Sequence, residues 1–127
     1  MSATLRFSSD CLKLDAPRVV EQITSRIRKM VLHDLKRKGI VLGLSGSVDS
    51  SVVAALASRA LGKEGVLALL MPERESSDDS LTLGRIVAAD LGIATWVEDI
   101  TPLLDAVGCY RRRDEMIRRL IPQYGTG

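Results

Sequence analysis

Two rhythms of apolar positions alternate along the chain. From Pro17 onward Val20, Ile23, Ile27, Met30 or Val31, and Leu35 recur at steps of three and four, the spacing of a helix with one buried stripe. Asp15 is placed to cap its start, with Pro17 in the first turn. Lys36, Arg37, Lys38 and Gly39 supply the stop: cations in the last turn and a glycine after it. The rhythm then changes to a short, continuous apolar run, Ile40 to Leu44, the signature of a parallel strand covered on both faces. A second helical stretch runs from about Ser50 to Leu61, with Val52, Val53, Leu56, Ala57 and Ala60 on one side and Gly62 closing it. The alternation continues with a strand from Gly65 to Met71 and the loop PERESSDDS, in which Ser77 or Asp78 can cap a third helix. Leu83, Ile86, Val87 and Leu91 mark that helix's inner face and Gly92 ends it. A third strand, Ile93 to Val97, and a last helical region from Thr101 to about Ile121, with a break near Gly108, complete the pattern.

A helix followed by strand–helix three times over predicts a parallel α/β sheet with right-handed crossovers, three layers deep, with helices on both faces. Ligands of such sheets gather at the carboxyl ends of the strands. Residues 1–15 read as an N-terminal arm and 16–127 as the N-terminal part of one domain. The first strand reads as a central one, yet only two others are available to flank it. If they wind outward in the order 3-2-1, it becomes an exposed apolar edge of the kind that pairs with other chains. The chain therefore reads as the front part of a larger domain, its sheet truncated after the third strand.

Composition narrows the function classes. The 127 residues carry a net charge of only +2, and Phe7, Trp96, Tyr110 and Tyr124 are the only aromatics. Neither the electrostatics nor the stacking surface of a nucleic-acid binder is present. Cys11 and Cys109 stand too far apart in sequence for a metal or redox motif. The start, MSATLRFSSD, has no apolar core of signal-peptide length, and no apolar run approaches a membrane span. These features predict a reduced, cytoplasmic protein without membrane partners.

The candidate chemistry lies where the first strand opens into GLSGSVDSS, Gly43 to Ser51. A glycine-containing turn at a helix start lets backbone N–H groups converge on an anion, and the helix dipole favours negative charge there. Hydroxyls of Ser45, Ser47, Ser50 and Ser51 add donors. Asp49 repels bare phosphate and makes sense where Mg²⁺ bridges carboxylate and phosphate oxygens. The loop thus points to a nucleotide phosphate or pyrophosphate with magnesium. No lysine follows the glycines as GxxxxGK[ST] requires, and GxGxxG is absent. The plainer alternative is a capped helix start with Asp49 or Ser50 as N-cap.

Ser45-Gly46-Ser47-Val48-Asp49-Ser50 resembles the SGGxDS signature of the ATP pyrophosphatase (PP-loop) family at every specified position except Ser47. The flanks VLGLSGSVDSSVVAALASRALG and VLALLMPERESSDDSLTLGRIVAADLGI are similar to the synthetase domain of NAD synthetases, where an MPxRxSSxxS-like pattern recurs. The resemblance covers roughly residues 16–110 and implies an adenine nucleotide alpha hydrolase-like fold. It implies an enzyme that adenylates deamido-NAD with ATP and amidates it with ammonia, releasing AMP and pyrophosphate. It assigns Ser45, Gly46, Ser47, Val48, Asp49 and Ser50 to pyrophosphate, Asp49 to Mg²⁺, and Leu44, Met71, Arg74 and Ser77 to the adenine or ribose side. It implies a homodimer as well. Family members are considerably longer, so this chain by itself is expected to be inactive.

Other PP-loop activities compete: GMP synthetases, asparagine-synthetase-like amidotransferases and tRNA-thiolating enzymes. The loop MPERESSDDS speaks against them, and the weak charge against tRNA. From another class comes a nucleotide-binding or assembly module without turnover. Position 47 poses a sharper question. Glycine there could serve a positive φ or close phosphate approach, in which case serine is strained; with an ordinary backbone, its hydroxyl adds a donor. Among the remaining charges, Asp114 and Glu115 lie four residues before Arg118 and Arg119, the favourable helix spacing, so the arginine-rich stretch from Arg111 reads as a solvated face. His33 reads as a surface or boundary residue, Glu73 and Arg74 as exposed loop residues with a nucleotide role as the alternative, and Asp78 and Asp79 as favouring a helix N-terminus, with a second metal ligand as the alternative.

Overall fold

A computed structural model describes residues 13–125. Cys11 and most of the expected arm lie outside them. Helix α1 spans Ala16–Arg28, and the Asp15 carboxylate caps it by accepting from the Arg18 amide at 3.2 Å. The helix then widens into a π-helical stretch, Lys29–Asp34, closed by the Leu35 amide donating to the Met30 carbonyl at 2.8 Å. This shifts the phase of the apolar stripe, and the stop falls at Lys36, which takes φ 52°, rather than at Gly39. A left-handed conformation costs a side-chain-bearing residue about 1–2 kcal/mol. Helix α1 packs on the second helix, and Arg28 Nε donates to the Ala60 carbonyl at 2.9 Å.

The sheet has three parallel strands, β1 (Ile40–Gly43), β2 (Val66–Leu70) and β3 (Ala94–Val97), in the order β1-β2-β3. The expected alternation of strands and helices is present, and the fold is parallel α/β. The central strand is β2, not the first: β1 is an edge, and its Val41 is 60% exposed. Helices α2 (Val48–Leu61) and α3 (Asp78–Leu91) pack together on one face of the sheet. There Val66, Ala68 and Leu70 are buried with Ala54 and Ala57 of α2 and Ala88 of α3. Alanines at these contacts let the helices approach the strands closely, and interiors of this density tolerate little added volume. The register places Val41, Leu67 and Ala94 side by side on the opposite face, followed by Gly43, Leu69 and Trp96. Among the described residues, Val41 and Trp96 stand exposed on that face.

The last helical region is two helices, α4 (Thr101–Ala106) and α5 (Cys109–Leu120), separated at Gly108, whose φ is 70°. The break expected at this glycine is where it occurs.

Candidate functional site

Strand β1 is extended past Gly43 by the Leu44 amide, which donates to the Leu69 carbonyl at 2.9 Å. The chain then turns at Gly46, with φ 76°. A Cβ at Gly46 would lie 2.4 Å from Leu83 Cβ and 2.8 Å from the Gly84 amide nitrogen, so the turn rests directly on α3. Gly84 makes the reciprocal approach possible, since a Cβ there would meet Leu70 Cδ2 at 2.8 Å and the Leu44 carbonyl oxygen at 3.1 Å. Gly46 requires glycine for both space and conformation, and a side chain at Gly84 would press on Leu70 and on the Leu44 carbonyl.

Ser47 is different. Its φ of −67° and ψ of 159° are ordinary extended values, so serine is unstrained where the resembling signature has glycine. It is also the N-cap of α2, which begins earlier than Asp49 or Ser50 as caps would allow: the Ser51 amide donates to the Ser47 carbonyl at 3.0 Å. The Ser47 hydroxyl makes no capping bond to the helix. Instead it closes a triangle of hydroxyls, 3.0 Å from Ser45 Oγ and 3.1 Å from Ser50 Oγ, with Ser45 and Ser50 3.2 Å apart. Ser51 turns inward, its hydroxyl donating to the Ser47 carbonyl at 2.7 Å. Val48 is 78% exposed, and Asp49 lies in the first turn of α2. The expected loop residues therefore share one helix start: three clustered hydroxyls, first-turn amides and one carboxylate.

Beside this turn a cavity of about 280 Å³ opens at the carboxyl ends of β1 and β2. Leu44, Leu70 and Leu81 supply apolar wall; Ser45, Ser77 and Ser80 bring hydroxyls. Of the four residues expected on an adenine or ribose side, Leu44, Met71 and Ser77 line it. Arg74 is not part of the lining; its guanidinium lies over the Tyr110 ring, 3.8 Å from the centroid. Ser77 is the N-cap residue of α3, with its hydroxyl 2.9 Å from that of Ser80.

The sequence gives little warning of Tyr110 and Glu73. Tyr110 is buried on α5, and its hydroxyl donates to Glu73 Oε2 at 2.7 Å. That bond holds the Glu73 carboxyl below the usual glutamate range, helped by backbone and serine donors and by the charge of Arg113. Burial, and next the Glu73 carboxylate, push the Tyr110 hydroxyl up. On the arginine-rich stretch, Arg111 pairs with Glu115 at 2.9 Å on the exposed surface, in keeping with a solvated face, while Arg113 bridges Glu75 and Asp114. No group of three or more His, Cys, Asp or Glu able to hold a metal is found among the described residues.

The family model for NAD synthase matches residues 19–119. The NH3-dependent NAD+ synthetase of Mesorhizobium japonicum is 58% identical over 116 residues, which are 91% of this chain and 36% of the relative. That of Rhizobium meliloti is 51% identical over 123 residues, 97% of this chain and 36% of the relative. The chain thus spans about 36% of the length of these curated relatives. Among solved structures, the NH3-dependent NAD synthetase from Campylobacter jejuni, in complex with the nitrate ion, superposes with a TM-score of 0.70 at 36% identity. That match covers 77% of this chain and 42% of the other.

Proposed function

The chain belongs to the NAD synthase family, and from that premise we propose that it carries the ATP-binding part of a ligase that converts deamido-NAD to NAD with ammonia. The observation that supports this most is the placing of two receptors at one sheet edge. A hydroxyl-rich helix start suits a polyphosphate, the cavity beside it suits a purine nucleoside, and Ser45 belongs to both.

In this reading Ser45, Gly46, Ser47, Val48, Asp49 and Ser50 hold the leaving pyrophosphate through first-turn amides and the three hydroxyls. Leu44, Met71 and Ser77 flank adenine or ribose, and Arg74 stays over the Tyr110 ring at the back of the same loop. A carboxylate oxygen of the nicotinate group attacks the α-phosphorus of ATP, and the bond to the bridging oxygen breaks as pyrophosphate leaves. Ammonia then attacks the acyl carbon of the adenylate, AMP departs with the bonding pair, and the nitrogen sheds one proton. The contribution of this chain is positioning and charge stabilisation by donors already in place.

Magnesium fits the donor set. Asp49 is one carboxylate beside clustered hydroxyls, and Mg²⁺ commonly takes one or two carboxylates with substrate phosphates supplying further oxygens. When bound it neutralises phosphate charge, with Asp49 as its protein ligand. The reading extends to a cytoplasmic homodimer, supported by the exposed β1 edge. No helix among the described residues is long and apolar enough to cross a membrane.

The expected behaviour of the chain by itself is binding of Mg·ATP without turnover. Calorimetry with Mg·ATP should show binding, and Asp49→Ala should weaken it by about tenfold or more, the worth of one charge-assisted contact. Pyrophosphate release with ATP, Mg²⁺, deamido-NAD and ammonia should be undetectable. Absence of Mg·ATP binding would overturn the proposal, and an unaltered affinity in Asp49→Ala would remove the metal role.

A further inference from the structure

The loop between β2 and α3 has two sides. Pro72, Ser76 and Ser77 line the cavity, whereas the three residues between Pro72 and Ser76 engage α5. Glu73 accepts from the Tyr110 hydroxyl at 2.7 Å, Arg74 stacks on the Tyr110 ring at 3.8 Å, and Glu75 is bridged to Arg113. Arg113 also approaches the Tyr110 ring, at 5.6 Å. The clasp reaches the cavity through Glu73, whose amide donates to Ser76 Oγ at 3.2 Å and whose carbonyl accepts from the Ser76 amide at 2.9 Å. A second tie fixes the start of the loop: the Ile100 amide donates to the Pro72 carbonyl at 3.1 Å.

We propose that α5 positions the nucleoside side of the cavity, with Tyr110 as the positioning residue acting through Glu73 and Arg74. An unheld loop of this length has to be ordered when a ligand binds, and each ordered residue costs conformational entropy. A clasp that holds Pro72–Ser77 in place beforehand removes that cost from binding. The phosphate-side turn is built differently. Its bonds run among Ser45, Ser47, Ser50 and Ser51, and it rests on Leu83 and Gly84 of α3. The clasp therefore acts on one half of an ATP molecule and not on the other. This inference rests on the nucleotide reading proposed above.

The test compares Mg·ATP with magnesium pyrophosphate on the same 127-residue chain, as wild type, Tyr110→Phe and Glu73→Gln. Tyr110→Phe keeps the ring under Arg74 and removes only the hydroxyl. Losing a hydrogen bond to a carboxylate should weaken Mg·ATP by about tenfold. Pyrophosphate, held away from the clasp, should change by less than about twofold. Glu73→Gln, which retains an acceptor for the Tyr110 hydroxyl, should fall between wild type and Tyr110→Phe. Hydrogen exchange without ligand supplies an independent reading: amides of residues 73–77 should lose protection in Tyr110→Phe while those of Ser45–Ser51 keep theirs. Equal weakening of both ligands would reduce Tyr110 to general stability and overturn the inference. Unchanged ATP affinity in Tyr110→Phe would do so as well, while leaving the nucleotide reading intact. Failure of the wild type to bind either ligand would remove both.

Discussion

The two loops that meet at the cavity are built by opposite strategies. The turn after β1 is built mostly from its own residues: a glycine at φ 76°, three hydroxyls within 3.2 Å of one another, and a helix beginning two residues after the glycine. The loop after β2 has its own Glu73–Ser76 turn but is held by side chains from α5, far along the chain. The first is specified by short-range chemistry and by the seat that Leu83 and Gly84 of α3 provide. The second is only as firm as a distant helix makes it, and it can be loosened by a change at Tyr110, which does not line the cavity.

The sharpest way to break the contrast is Gly46→Ala. It forces a side chain into a left-handed backbone and into Leu83 of α3, and should cost about 2–5 kcal/mol by urea unfolding, from strain and overpacking together. A loss under about 0.5 kcal/mol, within the range of neutral surface changes, would show that the turn can move off α3. Next in size is the pH response of the second loop. Glu73 is depressed in the folded protein, so its contribution is fully present above the ordinary glutamate value of 4.5 and is lost as pH falls through the lower folded value. Tyr110 is raised, so its contribution is present below the ordinary tyrosine value of 10.0 and is lost as pH rises toward the higher folded value. Exchange protection of residues 73–77 should thus decline at both extremes, and Glu73→Gln should abolish the acid limb alone. An acid limb that persists in Glu73→Gln would assign it to another carboxyl. The smallest effect belongs to Ser47→Gly. With an unstrained backbone at an N-cap, the change should alter stability by only a few tenths of a kcal/mol. A gain above about 1 kcal/mol would mean that serine is strained there after all.

This contrast also explains what was legible beforehand. The order of elements follows from local apolar period, and the ends at Asp15, Gly62, Gly92 and Gly108 follow from residues whose conformational preferences act within one turn. The hydroxyl cluster of Ser45, Ser47 and Ser50 is local too, formed by residues close together in the sequence. The placement of β1 at an edge was open because strand order depends on contacts between segments. The π-helical widening at Lys29–Asp34 and the stop at Lys36 had no compositional marker. Gly84 did carry a faint one, a glycine inside a helical pattern, which signals close approach of another segment. The Arg74 guanidinium lies over an aromatic ring that a local reading cannot bring to it, and Tyr110 itself reads as one more helix residue until the fold folds it back.

Trp96 gives the open sheet face an optical consequence. It is the single tryptophan of the chain, it is 61% exposed, and its ring nitrogen donates to Glu98 at 3.2 Å. Any surface that settles on Val41, Leu67 and Leu69 must pass beside the indole and strip water from it. The emission spectrum of the protein is therefore a native gauge of whether that face is bare or covered, with a shift to shorter wavelength reporting its occupation and no label required.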